Sequence, residues 1–248
     1  MSDYILSNRS FASLLLLACS FIAIGQDDNT PGLDIGFYGG LSVPLGDFNN
    51  EKLSDWEEHC GCANTNGSFA LKARVRVKGG LYGILNFNWL WNSYDPKPIA
   101  GALNDAFNAP FSVETDSWKS RIVQLGIGYD FELSSNEFGE KLILSFEGTG
   151  VMNDLETYFF RIQSPDGSNR YPLRQASVDD TGFGYSFGFS LLHDWDGIGA
   201  RISMDYLTSN HSISGADRRF NGGDLIPQSY DQKVEVLLIQ VGLVLRVY

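Results

Sequence analysis

The sequence predicts an all-β protein, an eight-stranded antiparallel up-and-down β-barrel, and three observations carry the prediction. Apolar residues recur at every second position in eight segments of the 248-residue chain, the period of a strand with two unlike faces. Its 27 glycines stand beside an aromatic content of 13%, a mixture that favours sheet over helix bundle. Long and short connections alternate from one segment to the next.

In the first strand Leu33, Ile35, Phe37, Gly39, Leu41 and Val43 share one face. In the second, Phe69, Leu71, Ala73, Val75 and Val77 alternate with Ala70, Lys72, Arg74, Arg76 and Lys78. Gly79-Gly80 is a hairpin turn into the third strand, Leu81 to Trp91, with Asn86 and Asn88 on the opposite face. The fourth carries Val123, Leu125, Ile127, Tyr129, Phe131 and Leu133 and returns through residues 134–140 into the fifth, Leu142, Leu144 and Phe146. The sixth, with Phe183, Tyr185, Phe187, Phe189 and Leu191, turns at 194–197 into the seventh, Ile198 to Tyr206; the eighth runs Leu237 to Val247. The long connections lie near 44–67, 93–116, 153–180 and 209–231, which is the rhythm of tight turns on one rim and large loops on the other.

Charge and export narrow the setting. With 18 Lys+Arg against 30 Asp+Glu the net charge is -12, the wrong sign for a nucleic-acid partner. A mean hydropathy of -0.12 without a run of about twenty apolar residues excludes a helical membrane protein. Phe11 to Ile24 is apolar, follows Arg9 and ends at Ala23-Ile24-Gly25, so residues 1–25 read as a secretory signal peptide, 26–32 as a lead-in and 33–248 as the barrel domain. Leu16-Leu17-Ala18-Cys19 resembles a lipobox, with lipidation of Cys19 as the alternative.

Alternation does not say which face looks outward, but size does. An eight-stranded barrel has an interior only wide enough for side chains. The bulky Phe, Tyr, Trp and Leu set therefore faces lipid, and the Gly, Ser, Asn and charged set faces inward, making the barrel transmembrane with extracellular loops and short periplasmic turns. Lys72, Arg74, Arg76, Asp130, Glu147, Arg201 and Asp205 then form a lumen charge network that fixes register, a conducting pathway being the other reading. The inward glycines of the first and sixth strands are expected to give long basic chains room. Trp89, Trp91, Tyr94, Trp118, Tyr206, Tyr230 and Tyr248 are expected in interfacial aromatic girdles, ordinary sheet packing being the alternative.

Gly36-Phe37-Tyr38-Gly39-Gly40-Leu41-Ser42-Val43-Pro44-Leu45-Gly46-Asp47-Phe48, with the glycine-aromatic strands and the final Arg246-Val247-Tyr248, resembles the OmpA/OmpX-like outer-membrane β-barrel domain family of Gram-negative bacteria. The resemblance spans essentially the whole segment after the signal peptide. It implies an outer-membrane location, lipopolysaccharide and lipid around the barrel, and insertion machinery reading the C-terminal strand. It carries over no catalytic residues. Tyr248 departs from it, being off parity with Leu243, Leu245 and Val247, and a peptidoglycan-binding domain is not expected because the strand pattern runs to Tyr248.

The loops hold little chemistry. His211-Ser212-Ile213-Ser214 is similar to the His and Ser pair of lipid A deacylase barrels, but Ile213 breaks the spacing. Asp179, Asp180, His211 and Asp217 imitate the acid and acid-His pairs of rim proteases, which have more strands. Cys60 and Cys62 read as a strained disulfide in a loop, as inert thiols, or as metal ligands with His59. Asp47, Glu51, Asp55, Glu57 and Glu58 make the first long loop acidic without a regular cation-ligand spacing, so it reads as solvated. No enzyme activity, cofactor or metal is expected. The expected role is a structural or loop-presenting surface protein with a plugged lumen; the alternatives are an accessory barrel of an envelope secretion or assembly apparatus, and a narrow transport pore. A protein partner at the long loops stays open.

Overall fold

The computed structural model describes residues 32–53, 59–163, 174–216, 218–219, 225–226 and 228–247. Residues 1–25, read from the sequence as a signal peptide and including Cys19, lie outside the described residues, as do Asp55, Glu57, Glu58, Asp217 and Tyr248. Eight strands form a closed ring: β1 (Leu33–Pro44), β2 (Asn66–Lys78), β3 (Leu81–Ser93), β5 (Ser117–Ser135), β6 (Glu140–Glu156), β9 (Asp179–Trp195), β10 (Ile198–Ser214) and β13 (Ser229–Val247). Each pairs antiparallel with its neighbours in chain order, and β1 closes the ring by pairing with β2 on one side and β13 on the other.

The eight predicted segments are these eight strands, but most of them run further than the alternation reaches. β2 begins at Asn66, β5 at Ser117, β9 at Asp179 and β13 at Ser229, while β6 continues to Glu156 and β10 to Ser214. The long connections also hold short strands: β4 (Ser112–Thr115), β7 (Phe160–Gln163), β8 (Arg174–Gln175), β11 (Arg218–Arg219) and β12 (Leu225–Ile226). They do not widen the barrel. They form a second, five-stranded sheet of order β12-β11-β8-β7-β4. The second connection also folds a helix, α1 (Lys97–Phe107), entered through Pro96 and ended by Asn108 in the left-handed conformation.

At the other rim the turns are tight because the sequence supplies residues that accept positive φ. Asp196 (φ 56°) and Gly197 (φ 103°) both do so between β9 and β10, as a two-residue hairpin turn of the primed type requires.

Side-chain direction follows the predicted parity. Phe37 on β1, Ile127 on β5, Phe146 on β6, Phe187 on β9, Ile202 on β10 and Leu243 on β13 are all exposed on the outside. The outward apolar run on β3 extends from Leu81 to Trp91, and a tilted strand of that length rises roughly 25 Å, the height of a hydrocarbon-facing band. No helix among the described residues is long and apolar enough to cross a membrane.

Candidate functional site: the lumen and its outer rim

The inward face has three layers. Nearest the short turns lies an ion network. Lys72 Nζ donates to Glu147 Oε2 at 2.6 Å, and Arg74 Nη2 donates to Asp130 Oδ1 at 2.5 Å. Arg201, fully buried, stands 3.8 Å from Glu147 Oε1, and Arg76 lies within 3.9 Å of both Asp34 and Asp130. The fold therefore brings the expected cations together with Glu147 and Asp130. Asp205 is buried beside Gly188, where an added Cβ would meet its carboxylate.

The network is larger than the sequence reading made it. Arg246 Nε donates to Asp34 Oδ1 at 3.0 Å, and Arg246 also pairs with Asp194. The signal was present: Arg246 has inward parity on β13, and Asp194, taken for a turn residue, has inward parity on β9. Two tyrosines were missed as well. The Arg74 guanidinium sits 3.5 Å above the Tyr82 ring, and Lys72 Nζ 5.7 Å from that of Tyr38, placements that favour a desolvated cation. The inward glycines expected to make room for basic chains meet other groups. A Cβ at Gly36 on the first strand would fall 2.5 Å from the Tyr38 ring. On the sixth strand one at Gly182 would fall 2.7 Å from the His211 imidazole, and one at Gly188 would meet the Asp205 carboxylate. Gly128, on the fourth strand, leaves room for Tyr82, 2.4 Å from its added Cβ. An open pocket of about 430 Å³ lined by Arg76, Lys78, Gly79, Asp130, Glu132 and Lys141 marks this end of the lumen.

The middle layer is uncharged and hydrogen-bonded. Gln124 Oε1 accepts from Asn86 (2.5 Å) and Asn88 (2.8 Å), its Nε2 donates to Ser186 Oγ (2.9 Å), and Gln240 Nε2 donates to Ser68 Oγ (3.1 Å).

The outer layer departs from the expected small polar interior. Leu90, Ile122, Val151, Leu155, Leu207, Val234, Val236 and Leu238 face inward and form one buried apolar cluster with loop residues Phe48, Tyr94, Ile99, Leu103, Tyr158, Phe160 and Ile162. The loops thus supply the other half of a core inside the barrel mouth. Cys60 and Cys62 form a disulfide within it, which leaves the inert-thiol and metal readings aside. An added Cβ at Gly61 would lie 2.3 Å from the carbonyl oxygens of Asp47 and Phe48, so the Cys-Gly-Cys bend closes on the loop as only glycine allows. Gly61 O accepts the indole N–H of Trp118 at 2.8 Å, and Tyr94 stacks on Tyr158 at 3.9 Å.

Three of the expected girdle residues are therefore interior. Trp118 (1% exposed) and Tyr94 (4%) belong to the mouth core. Tyr230 packs against it and stacks on His59 at 3.8 Å. A tryptophan at a strand end carries the same composition signal whether it looks in or out, and only parity separates the two. Trp89 and Trp91 are exposed on the outside, and Tyr206 faces outward with its hydroxyl donating to Glu235 at 2.6 Å.

At the outer end of the outward apolar runs, level with Trp89 and Trp91, lies a collar of ions. Arg121 reaches Asp154 (2.9 Å) and Asp179 (3.5 Å), and Lys119 reaches Glu156 (2.9 Å) and Asp116 (3.2 Å). Burial raises the pKa of Asp154, and the like charges of Asp179 and Glu156 add to the rise against the opposing pull of Arg121. Such exposed pairs stabilise little, about 1 kcal/mol or less each, but they end the apolar surface sharply.

His211, also beyond the apolar run of its strand, points inward and is buried. Burial lowers its pKa against the opposing pull of Asp180. Its serine neighbour in space is Ser209, not Ser212, which is exposed and bonds to Asp231. The spacing that matters runs in the opposite direction to the one considered in the sequence.

No protein-family model matches the chain, and none of the curated proteins does. Among solved structures it is similar to neisserial surface protein A at 10% identity, with 86% of this chain and 96% of that chain covered and a TM-score of 0.46. It is also similar to Ail, the attachment invasion locus protein of Yersinia pestis, at 12% identity (88% and 100% covered, TM-score 0.43). A third is a major outer membrane protein from Thermus thermophilus, at 12% identity (88% and 100% covered, TM-score 0.46). The chain is a closed ring of eight meandering antiparallel strands, apolar outside, polar in the inner two layers of its lumen, and carrying elaborate loops on one rim: an up-and-down β-barrel.

Proposed function

We propose that this chain is an exported, integral barrel of a Gram-negative outer membrane whose lumen is closed and whose folded loops present a surface to the exterior. The observation that carries the reading is the mouth core. A barrel built to conduct has no use for apolar side chains inside its upper half, whereas Leu90, Ile122 and Leu238 pack there against loop residues Phe48, Ile99 and Tyr158. The belt of outward Phe, Ile and Leu supports the membrane location, since a soluble monomer rarely exposes so large an apolar surface. In this reading lipid and lipopolysaccharide surround the barrel, and the insertion machinery engages the C-terminal strand.

The reading predicts membrane-fraction recovery, faster gel migration unboiled than boiled, and planar-bilayer traces without steady open currents. Steady currents from the intact protein contradict the closed lumen. One observation favours the accessory-barrel alternative. β4 pairs with β7 on one side, and its other edge has no strand partner among the described residues, an edge to which a protein partner can add a strand. Stoichiometric co-purification after gentle solubilisation distinguishes that alternative from a lone surface barrel.

A further inference from the structure

At the outer end of the lumen, three strands bring four polar side chains together. Ser209 and His211 stand two residues apart on the inward face of β10, Asp180 on that of β9 and Asn153 on that of β6. Ser209 Oγ lies 3.0 Å from His211 Nε2, and His211 Nδ1 lies 3.1 Å from Asp180 Oδ2. Asn153 Nδ2 is 3.0 Å from Ser209 Oγ and 3.2 Å from His211 Nε2. An added Cβ at Gly182 would come 2.7 Å from His211 Cε1, so the backbone of β9 is shaped around the imidazole.

This is the order of parts in an activated serine: a nucleophile on a base, and the base held in one tautomer by a carboxylate. Packing alone does not ask for it. Leu207 and Ile213, on the same face of the same strand, fill the mouth core with apolar side chains, and a buried polar cluster is the costlier solution. Asp180 forms the cluster's edge toward solvent, with 25% of its side chain exposed, whereas Ser209 is fully buried. With Ser209 covered, a substrate has to be small and has to enter past the Asp180 edge.

We propose that Ser209, His211 and Asp180 form an acyl-transfer site for a small carboxylic ester, with Asn153 as the oxyanion donor. Ser209 Oγ bonds to the ester carbonyl carbon while its proton passes to His211 Nε2. The C–O bond to the alcohol breaks, and the alcohol leaves with that proton. Water then adds to the acyl-serine through the same base, releasing the carboxylic acid and restoring Ser209. Asp180 accepts from Nδ1–H throughout and stays ionised.

The test uses the purified barrel in detergent with phenylmethanesulfonyl fluoride as the probe, read by mass mapping of the peptide containing Ser209. A Ser209→Cys variant treated with methyl methanethiosulfonate measures access separately from activation. The expected result is thiol modification of that variant and a sulfonyl adduct on Ser209 of the unaltered protein. His211→Gln and Asp180→Asn should each slow adduct formation by about tenfold or more while the unboiled gel mobility stays that of a folded barrel. Thiol modification without a sulfonyl adduct overturns the proposal, because the serine is then reachable and inert. Failure of both reagents overturns it as well, because the site is then closed to substrate. So does an adduct that forms at the unaltered rate in His211→Gln.

Discussion

Trp118 donates its indole N–H to the carbonyl of Gly61 at 2.8 Å, and this bond joins a barrel strand to the disulfide loop of the first long connection. Trp118 also meets Phe48 and Tyr158 edge-on, with ring centroids 5.4 Å and 4.8 Å away. Replacing it with alanine removes a fully buried indole and leaves the Gly61 carbonyl unpaired, a loss of about 3–5 kcal/mol at the packed loops. The ring strands keep their own ladders. Trp118→Ala should therefore speed proteolysis within the first loop and α1 while unboiled gel mobility stays unchanged; a shift of mobility to the boiled position contradicts this division of labour.

Glu147 is the acid shared by Lys72 at 2.6 Å and by Arg74 and Arg201, each at 3.8 Å. Glu147→Gln leaves three buried cations around a neutral amide, and an uncompensated buried charge costs about 3–5 kcal/mol. The urea midpoint of the folded barrel should fall sharply. A midpoint within error of the unaltered protein means that the three cations find their compensation elsewhere.

His211 gives a pH dependence of definite sign. Its pKa in the folded chain lies below the ordinary 6.5, so near and below that pH the unfolded chain binds the proton that the folded chain refuses. Stability should drop as pH falls through that window, and His211→Gln should remove that part of the dependence. Unfolding midpoints at pH 8 and pH 5 in both proteins measure it; equal slopes in the two assign the effect to other groups.

The ring was legible because each of its strands repeats one simple instruction, an apolar side chain at every second position. That repetition fixes parity as well as length, which is why Lys72, Arg74, Glu147 and Arg201 could be assigned inward before any geometry was known. Parity also pointed to Arg246, Trp118 and Tyr230, whose even positions match their inward neighbours Val244, Gln124 and Gln240. Aromatic composition at a strand end points the other way, toward a girdle, and for Trp118 and Tyr230 parity is the signal that the structure follows. The loop sheet was not legible. β8, β11 and β12 are two residues long, too short to show any period, and what defines them is their pairing with one another and with β7. The Ser209, His211, Asp180 and Asn153 cluster was legible only in part: Asp180 and His211 stand together in the sequence reading as an acid-His pair, but Ser209 and Asn153 join them only through the register of β6, β9 and β10.

Everything rests on the outward apolar side chains of the ring meeting lipid and the polar ones meeting each other. Site-directed spin labelling along β9 in reconstituted bilayers tests this most directly. Labels at Phe187, Phe189 and Leu191 should show high accessibility to dissolved oxygen, and labels at Ser186 and Ser190 low accessibility, with a period of two. The opposite phase, or uniformly high accessibility to a water-soluble relaxant at Phe187 and Phe189, would contradict the orientation of the barrel.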